Sequence, residues 1–160
     1  MVAPRPRAIS ESEVLGAQRA WGDGIVAIGR AYSDGGDFRA LTKALLASLY
    51  GYDDFSPVLF KPTKASATPF RFDRESALSY FVGGGVTEDR GFALQPWSAV
   101  RFKNAGVFVD GDSATAMGEY FFTDARSGAE TKVEYTFQYE RARDNTLKIV
   151  THHSSLPYKP

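Results

Sequence analysis

The chain has 160 residues, a length that fits one domain with a sizeable core. Its 19 basic and 19 acidic residues cancel, so no global field draws it to nucleic acid or to an anionic membrane. The absence of cysteine excludes disulfides, thiolate metal sites and a cysteine nucleophile. No apolar run approaches the ~18–20 residues of a membrane helix, so a soluble protein of the cytoplasm is expected.

Residues 1–8, with Arg5 and Arg7 set among prolines, read as a frayed tail, and residues 9–160 as a single domain. Ser10 followed by Glu13 forms a capping-box pattern, and Val14, Leu15, Gln18, Trp21, Ile25, Ile28 and Tyr32 then repeat at helical spacing. Gly16, Gly22, Gly24 and Gly29 weaken this helix, so it needs a surface to lie on, and they let neighbouring backbone approach closely. Ser33-Asp34-Gly35-Gly36 is a turn, after which Phe38, Leu41, Leu45, Leu46 and Leu49 mark a second helix within residues 37–50.

Val58-Leu59-Phe60, stopped by Pro62, reads as an edge strand, and residues 73–81 as a short helix ended by Gly83-Gly84-Gly85. Four strands follow, over about 97–109, 113–123, 130–140 and 147–154, with turn residues between them. Strict alternation along the first puts Trp97, Arg101, Lys103 and Val107 on one face and Val100, Phe102, Asn104 and Phe108 on the other. Helices first and a meander afterwards make an α+β domain in which the helices cover one face of the sheet. The other face is left broad and aromatic-rich, a surface suited to partners.

Several segments are similar to the association, or hub, domain of calcium/calmodulin-dependent protein kinase II and its stand-alone algal and bacterial relatives. They include Leu49-Tyr50-Gly51-Tyr52, Val58-Leu59-Phe60-Lys61-Pro62-Thr63, Ser79-Tyr80-Phe81-Val82-Gly83-Gly84, Pro96-Trp97, Val133-Glu134-Tyr135-Thr136-Phe137 and His152-His153-Ser154-Ser155. The resemblance implies a nuclear-transport-factor-2-like cone, with N-terminal helices packed in the concave face of a strongly curved, mainly antiparallel sheet. It also implies a non-catalytic oligomerisation hub: a ring of stacked dimers of twelve or more copies of the same chain, without cofactor, nucleic acid or membrane. The arginines that line a carboxylate pocket in the animal hubs have no counterpart here, since the matching positions look like Phe122, Gln138 or Phe137, and Ser154.

A cone mouth is a natural small-molecule site, and Arg71, Tyr80, Trp97, Arg101, Glu134 and His152 are the residues expected to line it. Two arginines beside aromatics suit a small carboxylate, although ion pairs of Arg71 and Arg101 with nearby acids would also account for them. His152 and His153 are adjacent on a strand and point to opposite faces, which disfavours a shared metal. The alternative to a hub is therefore a small-molecule-binding protein or an isomerase- or cyclase-type enzyme, with Glu134 or His152 as base and Tyr80 as partner.

Overall fold

The computed structural model describes residues 7–160. Helix α1 (Glu11–Ser33) opens on the expected capping box, with the Ser10 side chain accepting from the Glu13 backbone and the Glu13 carboxylate from the Ser10 backbone. Helix α2 (Phe38–Leu49) is capped by Asp37 and α3 (Arg74–Val82) by Asp73. Strand β1 (Leu59–Lys61) precedes α3, and a single 3-10 turn at Phe92–Leu94 leads into β2 (Trp97–Asp110), β3 (Ser113–Asp124), β4 (Glu130–Arg141) and β5 (Leu147–Ser155).

The sheet has the order β1-β5-β4-β3-β2. Only β1 runs parallel to its neighbour, setting Phe60 opposite His152, and the other pairs are antiparallel. The helices pack on one face of this sheet, which gives the α+β cone architecture the sequence points to. No helix of the described residues is long and apolar enough to cross a membrane.

Two of the glycines in α1 explain how closely it docks. A side chain at Gly29 would begin 2.7 Å from the Ala93 carbonyl oxygen, and one at Gly22 would begin 3.1 Å from Val100 Cβ. Arg141, nearly buried on β4, donates to Glu13 at 2.9 Å and to the backbone oxygens of Arg7 and Ala8. That contact ties the last two residues of the expected tail to the sheet, while the rest of the tail lies outside the described residues. The Arg141 guanidinium and the Ser10 backbone hydrogen bond hold the Glu13 carboxyl down at about 2.

Strand β2 departs from simple alternation. Register shifts lie between Trp97 and Ala99 and between Asn104 and Gly106, and each bulge reverses which residues face the helices. Trp97 consequently joins Val100, Phe102, Asn104 and Val107 on the covered face, whereas Arg101 and Phe108 lie exposed on the open one. The sharing of one face by Trp97 and Arg101, expected from unbroken periodicity, is corrected by the first bulge.

Candidate active site

His152 and Ser154 are two residues apart on β5 and therefore share the covered face, where both are buried. Tyr135 and Phe137 on β4 sit directly opposite them, and Phe60 on β1 flanks His152 on the other side. The imidazole stacks on Phe60 at 4.6 Å between ring centroids and meets Phe137 at 4.2 Å. Trp21 of α1 closes the top, stacked on Tyr120 at 5.5 Å and edge-on to His152 at 5.7 Å.

Within these apolar walls the polar atoms form one continuous chain. Trp21 Nε1 donates to Tyr50 OH at 3.0 Å, and Tyr50 OH lies 2.8 Å from His152 Nδ1. On the far side of the ring, His152 Nε2 is 3.1 Å from Tyr120 OH. Tyr120 is hydrogen-bonded in turn to Ser154 Oγ, which lies 2.5 Å from Thr63 Oγ1. Six side chains from α1, the end of α2, β3, β5 and the segment after β1 are joined in this way.

Burial keeps every titratable group of the chain neutral. It pushes the His152 imidazole well below its ordinary value of 6.5, with His153 adding to the effect. The same desolvation raises the Tyr50 and Tyr120 hydroxyls, the latter in spite of hydrogen bonds with Ser154 and Thr63. Tyr80 is raised by burial as well, with Lys64 and Thr63 opposing through hydrogen bonds.

Thr63, only partly buried, is where the chain reaches the mouth of the cone. The Lys64 backbone N–H donates to Tyr80 OH at 3.2 Å, and the Lys64 ammonium lies about 6 Å from the rings of Phe92 and Trp97. A small cavity of about 90 Å³ opens there between Lys64, Tyr80, Asp89 and Phe92. Its rim is held by Arg71, which is wholly buried and donates from both terminal nitrogens to Asp89 at 2.7 Å. Glu88 meanwhile accepts from the backbone N–H groups of Ser66 and Ala67, fastening the loop that carries Thr63.

The six residues singled out from sequence divide clearly. His152 and Tyr80 lie in the covered interior, one inside the chain and one at the cavity. Trp97 forms part of the wall and uses its indole N–H on the Phe92 carbonyl oxygen at 2.9 Å. Arg71 is committed to Asp89. Arg101 pairs with Glu130 at 3.2 Å on the open face and stacks on Phe121, far from Arg71's buried position. Glu134 is exposed in a shallow groove of about 420 Å³ on that open face, beside Glu119, Met117 and His153.

Trp21, Tyr50, Thr63, Tyr120 and Ser154 belong to the site as well, although no sequence motif singles them out. The available signal was the period of two on β5, which places a hydroxyl and an imidazole together on an apolar face. Among the described residues no three His, Cys, Asp or Glu side chains come together in a way that could hold a metal ion.

Comparison with known proteins identifies the fold's relatives. The family model described as "Metal-independent carbonic anhydrase" matches residues 12–156. A metal-independent carbonic anhydrase of Nostoc sp. (strain PCC 7120 / SAG 25.82 / UTEX 2576) is 48% identical over 158 residues, covering 96% of this chain and 76% of that protein. The crystal structure of a cyanobacterial iota-carbonic anhydrase complexed with bicarbonate superposes with a TM-score of 0.93 at 45% identity, covering 100% of this chain and 99% of that one.

A protein of Thiobacillus denitrificans ATCC 25259 described as a putative calcium/calmodulin-dependent protein kinase type II association domain also superposes, with a TM-score of 0.56. It is only 15% identical, over 98% of this chain and all of that one, so the kinase-hub resemblance holds for the nuclear-transport-factor-2-like fold alone. The expectation of a non-catalytic hub is overturned by the family match and by the two close enzyme relatives. This chain belongs to the metal-independent carbonic anhydrase family.

Proposed function

We propose that the chain is an enzyme that interconverts carbon dioxide and bicarbonate at the cavity beside Thr63 and Tyr80, without a metal. The observation that carries this reading is the unbroken, uncharged chain from Trp21 to Thr63, buried among aromatic rings and ending next to Lys64 and Tyr80, which line a cavity of about 90 Å³. Its scale suits a substrate of three or four heavy atoms. The relative crystallised with bicarbonate supports the same choice of ligand.

The physical problem is to add water to carbon dioxide against a buried chain that stabilises ions poorly, because an unpaired charge among apolar rings is strongly disfavoured. Neutral hydroxyls solve it by moving two protons in one passage. As the water oxygen bonds to carbon, the Thr63 hydroxyl gives its proton to a carbon dioxide oxygen and takes one from the attacking water. The product of that step is carbonic acid, and loss of one proton to solvent at the mouth leaves bicarbonate. Tyr80 O–H orients the substrate by a hydrogen bond to its other oxygen, and the Lys64 ammonium at the rim attracts the anion.

Stopped-flow measurement of carbon dioxide hydration in the presence of a strong chelator tests the reading. The expected result is an activity well above that of buffer and unchanged by chelation. A purified, folded protein that hydrates carbon dioxide no faster than buffer rejects it. Association of copies through the open sheet face is a separate proposal, supported by exposed Phe108 and Met117, and native mass spectrometry reads it directly.

A further inference from the structure

We infer that Trp21 and Tyr50 are positioning residues that set the direction of the entire hydrogen-bond chain, holding His152 as the Nε2–H tautomer and turning the Thr63 hydroxyl outward as a donor. The catalytic consequence rests on the carbonic anhydrase reading, while the tautomer itself is a property of the folded chain.

An indole N–H can only donate, so Tyr50 oxygen must accept from Trp21 at 3.0 Å. Tyr50 is fully buried, and its remaining polar neighbour is His152 Nδ1 at 2.8 Å. The nearby Tyr52 hydroxyl does not compete, since it is used on the Arg71 carbonyl oxygen at 2.9 Å. If Nδ1 carried the imidazole proton, two donors would point at Tyr50 oxygen, and the tyrosine's own proton would be buried with no acceptor. Native interiors avoid that arrangement, so Tyr50 donates and Nδ1 accepts.

A neutral imidazole carries one proton, and it is therefore on Nε2. The same accounting propagates outward. His152 Nε2–H donates to Tyr120 oxygen at 3.1 Å, which directs the Tyr120 proton to its nearest hydroxyl, Ser154 Oγ. Ser154, having accepted from Tyr120, donates to Thr63 Oγ1 at 2.5 Å. Thr63 is left with its proton facing Tyr80 and the cavity side. Tyr80 joins it, because its oxygen accepts the Lys64 backbone N–H at 3.2 Å and faces Thr63, and its own proton remains available.

Two neighbouring hydroxyls, of which Tyr80 lines the cavity, thus have acceptor positions filled from behind and protons facing forward. Such a pair is matched to a carboxylate-like anion or to oxygens that gain negative charge during reaction, and is mismatched to a cation. The direction is decided at the Trp21–Tyr50 end of the chain, remote from the cavity. Reversing it would leave the Tyr50 proton stranded in the core.

Nitrogen-15 spectra of the full-length protein labelled at histidine test this at neutral pH, with exposed His153 as an internal reference. The expected spectrum gives His152 a pyrrole-type, proton-coupled Nε2 and a pyridine-type Nδ1. Tyr50→Phe removes the donor to Nδ1, and Trp21→Phe leaves the Tyr50 oxygen open to accept from an Nδ1–H. Both variants are expected to shift His152 toward a tautomer mixture and to lower kcat on the order of tenfold, with KM changed far less.

A wild-type protein with the proton on Nδ1 overturns the inference. So does a Tyr50→Phe protein that folds and keeps both the His152 signals and kcat. If that variant does not fold, the wild-type spectrum still decides. An Nε2–H tautomer in a protein that fails to hydrate carbon dioxide would reject the proposed function and leave the positioning role standing, and an active protein with Nδ1–H would do the reverse.

Discussion

Tyr50 and His152 are 102 residues apart in the chain, yet the tyrosine hydroxyl lies 2.8 Å from the imidazole Nδ1. The contact exists because α2 ends where β5 passes: Tyr50 forms an isolated parallel bridge with Ile149, three residues before His152. A helix terminus and the strand beside it together make the inner half of the site.

Ser154 occupies the middle of the outer half. Ser154→Ala removes the nearest acceptor of the Tyr120 proton and breaks the short path from His152 to Thr63. We expect kcat for carbon dioxide hydration to fall by about 10²–10³-fold. Stability should drop by only about 1–3 kcal/mol, the usual consequence of one unsatisfied buried group. Stopped-flow rates alongside denaturant unfolding separate the two effects.

The neutral state of His152 predicts how pH acts. Its imidazole is held well below 6.5 in the folded protein, and the tyrosines are held above their ordinary value. No group of the chain then titrates between about pH 6.5 and 9, and kcat should be flat across that range. For stability the sign is fixed by the unfolded state, which binds a proton at His152 as pH falls through about 6.5 while the folded state does not. Unfolding free energy should therefore decline below about pH 6.5, with a slope from this group approaching 1.4 kcal/mol per pH unit. Urea titrations from pH 7 down to 5 check it, and His152→Gln should flatten the slope.

Arg71 and Asp89 test architecture apart from chemistry. Both side chains are inaccessible to solvent and joined by two 2.7 Å hydrogen bonds, with Ser79 Oγ also donating to Asp89 at 2.6 Å. Removing one partner strands a buried charge, so Asp89→Ala should destabilise by about 3–5 kcal/mol. Thermal unfolding of Asp89→Ala against Arg101→Ala is the informative comparison, because the exposed Arg101–Glu130 pair should contribute no more than about 1 kcal/mol.

Gly29→Ala addresses helix docking. The new methyl would begin 2.7 Å from the Ala93 carbonyl oxygen and 3.0 Å from Pro96 Cβ, so α1 must lift away from the turn before β2. An expected loss of about 1–3 kcal/mol outweighs the gain in helix propensity. Gly16→Ala, which meets nothing closer than 4.0 Å, should be neutral or slightly stabilising. If the docking account holds, the melting temperature falls for Gly29→Ala and holds or rises for Gly16→Ala.

Element order was legible from local patterns, because caps, turns and periodicity are written in neighbouring residues. Ser10 with Glu13, Asp37 and Asp73 mark the three helix starts, and the alternation from Val133 to Tyr139 shows β4 without ambiguity. The facing of β2 was not legible, since a bulge adds one residue without changing the strand's composition. Arg101 therefore lies on the opposite face from Trp97.

The kinase-hub resemblance rested partly on residues such as Gly83-Gly84 and Pro96-Trp97. Gly83 and Gly84 take positive φ at the end of α3, and Trp97 closes the aromatic wall, so these positions speak chiefly of how a cone is packed.

Local sequence decided which segments are helices and strands, that the helices must lie on one face of the sheet, and that His152 and His153 diverge. The folded arrangement alone decided that Trp21, Tyr50, Thr63, Tyr120, His152 and Ser154 are one chain of hydrogen bonds. An indole, four hydroxyls and an imidazole from five separate segments have no common spacing to detect. Their chemistry arises from mutual distance and shared desolvation, and both come into being only when the sheet closes over α1.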